Sequence, residues 1–217
     1  MFGVYMNPKC SLILLSGGKG ERFGANQPKQ YLPFQGQPLI LHALNSALLI
    51  PEINEIIVVC DASYEHIFEG YSVKFAPAGM RRQDSVFSGL HHVTNPWVLV
   101  HDGVRPFIYP DEVSELIVIA QQTGAATLVS NVPYTIKQRN PVKTLDRDSL
   151  SIVHTPQCIK TEILLEGLEL ADREQITLVD DTQAAELLGI PVSLVSNKHP
   201  QIKITYPEDL TIAHALL

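Results

Sequence analysis

Short apolar runs separated by polar, glycine- or proline-bearing connections recur along this chain at the spacing of alternating strands and helices. Residues 12–15, Leu-Ile-Leu-Leu, predict a buried first strand. Pro38 stands where a first helical turn tolerates it, and residues 39–49 follow as a helix apolar nearly all round, hence deeply buried. Residues 55–60 predict a second buried strand ending at Asp61, and 73–76 a short third. Residues 84–92 read as a helix, and 97–100 as a fourth strand running into His101-Asp102-Gly103. Pro110-Asp111-Glu112 opens a helix to about residue 122, its carboxylates in the first turn as the helix dipole favours; 125–130 is another strand. Apolar strands without alternation, joined by short β-α spacings, predict an α/β protein with a mostly parallel sheet covered on both faces. Ligands of such sheets bind at the carboxyl ends of strands. The turn after residue 15, Asp61, Asp102 and Arg105 are therefore expected to share one site.

From residue 132 to about 154 the pattern changes. Residues 134–138 and 142–146 alternate polar and apolar around Asn140-Pro141, which predicts a two-stranded ribbon projecting from the sheet. Such a ribbon is marginal alone and is expected to pack on a second subunit. Residues 160–171 read as a helix, Val179-Asp180-Asp181-Thr182 as a cap before a helix to Leu188, 191–195 and 202–205 as strands, and Pro207-Glu208-Asp209 as the start of a terminal helix. Without repeats or low-complexity tracts, all 217 residues are expected to form one domain, with the ribbon as a subdomain.

The first strand runs into Ser16-Gly17-Gly18-Lys19-Gly20-Glu21-Arg22-Phe23-Gly24, followed by Gln27-Pro28-Lys29-Gln30-Tyr31. Glycines let the backbone approach an anion and adopt positive φ, and Lys19, Arg22 and Lys29 can neutralise several phosphate oxygens together. The stretch is neither a dinucleotide fingerprint, since Phe23 falls where a third glycine belongs, nor a Walker loop, since no Gly-Lys-Ser/Thr triplet occurs.

A net charge of −7 argues against a nucleic-acid partner, while cations gathered in loops suit a small phosphorylated ligand. Cys10, Cys60 and Cys158 are few and widely spaced, as expected of reduced thiols in the cytoplasm. Residues 1–9 lack a signal-peptide pattern, and no apolar run approaches the roughly 20 residues of a membrane helix.

Six segments occur in order: Gly17-Gly18-Lys19-Gly20-Glu21-Arg22, Pro28-Lys29-Gln30-Tyr31, Arg82-Gln83-Asp84-Ser85-Val86, Val100-His101-Asp102-Gly103-Val104-Arg105-Pro106, Thr155-Pro156-Gln157 and Ile202-Lys203-Ile204-Thr205. Together, from about Ser11 to Leu217, the chain resembles the 2-C-methyl-D-erythritol 4-phosphate cytidylyltransferase family. The resemblance implies a Rossmann-like twisted sheet with helices on both faces and a projecting β-arm, at about residues 132–154, used for homodimerisation. It implies joining the substrate 4-phosphate to the α-phosphate of CTP with release of pyrophosphate. It further implies that Arg22 and Lys29 clamp the triphosphate and stabilise its transition state. Ser16, Gly17, Gly18, Gly20, Arg82, Ser85 and Asp102 are then expected to bind the nucleotide, with Asp102 also meeting Mg²⁺ or another divalent cation. Arg105, Thr155 and Lys203, with Thr135 and Arg147 reaching from a neighbouring subunit, are expected to hold the sugar-alcohol phosphate.

Other readings stay open at this point. Ser85 could be a plain helix cap, Asp102 a strand-end carboxylate satisfied by backbone donors, and Thr135 and Arg147 ordinary ribbon surface. Arg81 is expected to be solvated and His101 to be a packed strand-end side chain. Asp180-Asp181 reads as capping, with Asp180 alone kept as a substrate-side candidate. Tyr134, Ser151, His154 and Pro200-Gln201 depart from the family's usual residues, none at the expense of a cation or of Asp102. A ribitol-5-phosphate cytidylyltransferase would share the fold and CTP site, and a non-catalytic nucleotide-sensing module would share the fold.

Overall fold

The computed structural model describes residues 8–18, 23 and 27–216. In chain order the strands and helices are β1 (Cys10–Leu15), β2 (Pro33–Phe34), β3 (Gln37–Pro38), α1 (Leu39–Ala47), β4 (Ile53–Cys60), β5 (Lys74–Pro77), α2 (Arg82–Leu90), β6 (Trp97–Asp102) and α3 (Pro110–Thr123). They continue with β7 (Ala125–Asn131), β8 (Lys137–Gln138), β9 (Lys143–Thr144), β10 (Ser151–Lys160), α4 (Thr161–Arg173), α5 (Gln183–Leu187), β11 (Val192–Ser196) and α6 (Pro207–Ala215). Seven strands form one sheet in the order β11-β7-β10-β6-β1-β4-β5. β1 pairs in parallel with both β4 and β6, and of the seven only β10 runs antiparallel, to β6 and β7.

Alternate residues of each strand feed two apolar layers. Leu12 and Leu14 of β1, Val58 of β4 and Leu99 of β6 pack with Ile40 and Leu44 of α1 and with Leu116 and Ile117 of α3. Ile13, Val59 and Val100 point the other way, against Val86 of α2, Leu164 and Leu168 of α4, and Ala184 of α5. Helices therefore cover both faces, as the unbroken apolar runs required. Each fully buried aliphatic side chain contributes roughly 1.5–3 kcal/mol to this arrangement.

Two expectations change, and the ribbon forms as expected. Residues 202–205 join no sheet; Ile204 donates one backbone hydrogen bond to Val104 O (3.0 Å) and packs in a side cluster with Phe34, Leu39 and Ala213. Between the ribbon and α4 lies a ten-residue strand, β10, that its central His154-Thr155-Pro156-Gln157 concealed. The ribbon pairs over two residues on each side, Lys137 with Thr144 and Gln138 with Lys143, and forms a separate antiparallel hairpin.

Candidate active site

β1, β4 and β6 end side by side, with Leu15 in register with Val59 and Asp102. The chain leaves β1 through Ser16, Gly17 and Gly18. Neither glycine is among those at positive φ. Gly17 is instead required by close approach, because a Cβ there would lie 2.3 Å from Ala78 Cβ. Gly79 is held the same way, a Cβ there falling 2.4 Å from Asp84 Cβ. At the carboxyl ends of β4 and β5 opens a hollow of about 240 Å³, lined among others by Asp61, Glu65, Pro77 and Ala78. Lys19, Gly20 and Arg22 lie outside the described residues.

Lys29 sits in a single 3₁₀ turn, Lys29–Tyr31, just after Pro28, and is buried. Its neighbours fasten that turn to the glycine loop. Gln30 Nε2 donates to Ser16 O (2.6 Å) and Gly18 O (2.9 Å), and Ser16 Oγ donates to Tyr31 Oη (2.6 Å). Gln30 and Tyr31 therefore belong to the site as buttresses, a role their presence in the motif did not disclose.

Asp102, the last residue of β6, is the centre of the charged cluster. Arg82 Nε donates to Oδ1 (3.1 Å), Lys203 Nζ donates to Oδ2 (2.8 Å), and Arg105 Nε stands 3.5 Å from Oδ2. Burial by itself would raise this carboxyl's pKa; the combined field of Arg82, Lys203 and Arg105 outweighs it and holds the group well below the usual carboxylate range. The same charges that keep Asp102 ionised form a positive patch in an acidic protein. The Arg105 side chain is only 9% exposed, and among the described residues its Nε has no hydrogen-bond partner. A guanidinium beside a carboxylate already shared with two other cations keeps positive charge suited to an anion such as phosphate.

Arg82 begins α2 and also grips Asp181, Nη1 to Oδ1 and Nη2 to Oδ2, both at 2.7 Å. Burial raises the Asp181 carboxyl's pKa and Arg82 offsets only part of that rise; the fork donating to both oxygens is the geometry that favours the ionised form. Asp181 is the member of the Asp180-Asp181 pair that enters the site. Asp180 does the capping, its Oδ1 accepting from Gln183 N (3.0 Å) and Thr182 Oγ1 (2.8 Å). Gln157 orients this turn: its Oε1 accepts from the N–H groups of Asp181 (2.7 Å) and Thr182 (3.3 Å), while Nε2 donates to Thr127 Oγ1 (3.0 Å).

The remaining candidates divide by position. Thr155 Oγ1 accepts from Asp102 N (3.2 Å) and lies 3.1 Å from His101 Nδ1, so its hydroxyl braces the strand end. His101 Nε2 donates to Arg105 O (2.9 Å); burial lowers its pKa to about 4, as befits the packed residue expected there. Ser85 Oγ accepts from Gly79 N (3.0 Å) and so shapes the β5–α2 loop; it is not the helix cap. Arg81 is not simply solvated: it bonds to Asp84 (2.6 Å) and Asp172 (3.0 Å), tying α2 to α4. Lys203 arrives on a loop anchored by Glu112, whose Oε1 accepts from Lys198 N (2.5 Å) and His199 N (2.7 Å). Thr135 and Arg147 are exposed on the arm, and Arg147 donates to Pro133 O (3.1 Å). Among the described residues no hydrogen bond joins either to the Asp102 cluster.

Comparison with known proteins gives the family. Residues 10–217 match the model of the IspD family, 2-C-methyl-D-erythritol 4-phosphate cytidylyltransferase. The chain is 86% identical over 212 residues to a protein of that name from Chlamydia caviae, covering 98% of this chain and 100% of the relative. It is 83% identical to one from Chlamydia abortus over 100% of both. The crystal structure of the enzyme of that name from Thermus thermophilus superposes with a TM-score of 0.84 at 31% identity, covering 96% of this chain and 98% of that one. With the family model, the relatives and the fold in agreement, the chain belongs to the 2-C-methyl-D-erythritol 4-phosphate cytidylyltransferase family.

Proposed function

We propose that this protein transfers the cytidylyl group of CTP to 2-C-methyl-D-erythritol 4-phosphate, giving 4-diphosphocytidyl-2-C-methyl-D-erythritol and pyrophosphate in non-mevalonate isoprenoid biosynthesis. The observation that carries the reading is Asp102, ringed by Arg82, Arg105 and Lys203 beside the glycine turn, in a chain of this family. A phosphate oxygen of the sugar alcohol attacks the α-phosphorus of CTP. One P–O bond forms as the bond to the bridging β-phosphate oxygen breaks, and the electron pair departs with pyrophosphate. The nucleophile is already an anion, so no general base is needed. Catalysis reduces to positioning and to stabilising charge on the α-phosphoryl oxygens and leaving group.

In this reading Arg22 and Lys29 clamp the triphosphate, while Ser16, Gly17, Gly18, Gly20, Arg82 and Ser85 shape the nucleotide site. Arg105, Thr155 and Lys203 receive the sugar-alcohol phosphate. Asp102 would hold Mg²⁺ or another divalent cation. The fit is chemical: Mg²⁺ takes one or two carboxylates and completes its shell with phosphates and water. Asp102 is ionised, and among the described residues no group of three His, Cys, Asp or Glu forms a cage of its own. When bound, the ion would add positive charge to the triphosphate. The proposed location is the cytoplasm, supported by three free, buried cysteines.

Pyrophosphate release across a panel of nucleotides and sugar-alcohol phosphates tests the reaction. Release is expected with CTP and 2-C-methyl-D-erythritol 4-phosphate together and not with either alone. Release only with ribitol 5-phosphate would replace the acceptor. CTP binding without release from any pair would leave a nucleotide-sensing module.

We also propose that the arm makes a homodimer in which Thr135 and Arg147 reach the neighbouring subunit's phosphate site. Tyr134 and Val142, 75% and 78% exposed, give it an apolar surface suited to burial. Val142→Glu should weaken dimerisation by about tenfold in sedimentation equilibrium, which corresponds to about 1.4 kcal/mol. A wild-type protein that sediments as a monomer at micromolar concentration refutes the dimer.

A further inference from the structure

We propose that His154 is a positioning residue that orients Arg105 toward the substrate phosphate through the lone pair of its Nδ1. The substrate assignment rests on the cytidylyl-transfer reading; the contact itself does not. Arg105 Nη1 lies 3.2 Å from His154 Nδ1, and His154 Nε2 lies 2.8 Å from Ser130 Oγ. A guanidinium can only donate, so Nδ1 is the acceptor and carries no proton. The ring proton is then on Nε2 and is given to Ser130. His154 is itself buried, and its backbone oxygen accepts from Thr127 Oγ1 (3.1 Å), so the ring is held at both ends and at its root.

Among the described residues His154 is the side chain that accepts a hydrogen bond from Arg105. The neighbouring Asp102 carboxylate is 3.5 Å away and shared with Arg82 and Lys203. A neutral acceptor directs the guanidinium without cancelling its charge, whereas a second carboxylate there would consume the charge a phosphate needs. A protonated imidazole would repel Arg105. Burial, reinforced by the Arg105 charge, lowers the His154 pKa to about 4, so the ring stays neutral at physiological pH. Consecutive residues of β10 thus brace neighbouring members of the cluster: His154 directs the Arg105 guanidinium, and Thr155 Oγ1 accepts from the backbone N–H of Asp102.

The tests use the full chain. At pH 7 the ¹⁵N-edited imidazole spectrum should contain one neutral Nε2–H ring that disappears in His154→Gln. An Nδ1–H or protonated ring at that position overturns the proposal. In steady-state assays with CTP and 2-C-methyl-D-erythritol 4-phosphate, His154→Leu should raise KM for the sugar-alcohol phosphate by about tenfold, the size expected for a lost hydrogen bond to a charged group. KM for CTP should stay within about twofold. Glutamine can accept from Arg105 and donate to Ser130, so His154→Gln should recover most of the loss. Equal rises in both KM values, or a glutamine variant as impaired as the leucine one, overturn it. If His154→Leu does not fold, the glutamine variant and the ring spectrum still decide. A wild-type protein that turns over no sugar-alcohol phosphate sinks the proposed reaction, and the tautomer alone then judges the Arg105 contact.

Discussion

Asp102→Asn should lower cytidylyl transfer by at least about a thousandfold and measurably destabilise the protein. Asp102 is only 8% exposed and balances three cations. Removing its charge leaves Arg82, Arg105 and Lys203 repelling one another around a neutral amide. One face of that amide is itself an N–H donor. Because both carboxylate oxygens accept from cations, either orientation of asparagine points a donor at a donor. Breaking a buried ion pair typically costs about 3–5 kcal/mol. The lower end applies because the Arg82 and Lys203 side chains are 30% and 42% exposed and water can rescue them in part. Urea unfolding should show this as a lower midpoint at unchanged slope. The activity loss is expected to exceed what destabilisation explains, since the variant also misdirects Arg82, Arg105 and Lys203 and loses the proposed cation ligand. A variant with turnover within tenfold of wild type and an unmoved midpoint would make Asp102 a bystander.

Much of the fold was legible because burial on both sides of a parallel sheet leaves a plain trace in sequence. Leu12 to Leu15 and Ile56 to Val59 are apolar without alternation because each faces a helical layer whichever way it points. β10 left no such trace. Its His154, Thr155 and Gln157 are buried through hydrogen bonds, to Arg105, to Asp102 and to the Asp181 turn, and polar residues with a proline among them read as loop. Ile202 to Thr205 erred the other way. Their alternation has the period of a strand, yet it reflects Ile204 packing beside Phe34 and Leu39 while Lys203 turns to Asp102. The cations and Asp102 were legible as candidates because charge in loops after strands is informative. Asp181 was not, because only the tertiary position of Arg82 separates it from Asp180 one residue away.

Lys29→Ala is expected to reduce turnover with CTP by about a hundred- to a thousandfold, the range for removing one preorganised electrostatic contact to developing charge. The expectation depends on the turn keeping its place without the ammonium, and the geometry provides for that. Gln30 is bonded to Ser16 O and Gly18 O, Tyr31 is bonded to Ser16, and the Tyr31 ring stacks on Tyr64 at a centroid distance of 4.2 Å. None of these contacts uses the lysine side chain, so each of them survives in the alanine variant. The urea midpoint should accordingly move less than in Asp102→Asn. The kinetic signature should lie in kcat more than in KM for CTP, because charge on the α-phosphoryl oxygens and pyrophosphate grows as the bond breaks, and a cation that tracks it matters most there. Lys29→Arg should recover little: the position is buried, and a planar fork cannot occupy the slot of a compact ammonium. Turnover within threefold of wild type in Lys29→Ala would remove this residue from the mechanism, while a pure KM effect would reassign it to ground-state binding of the triphosphate.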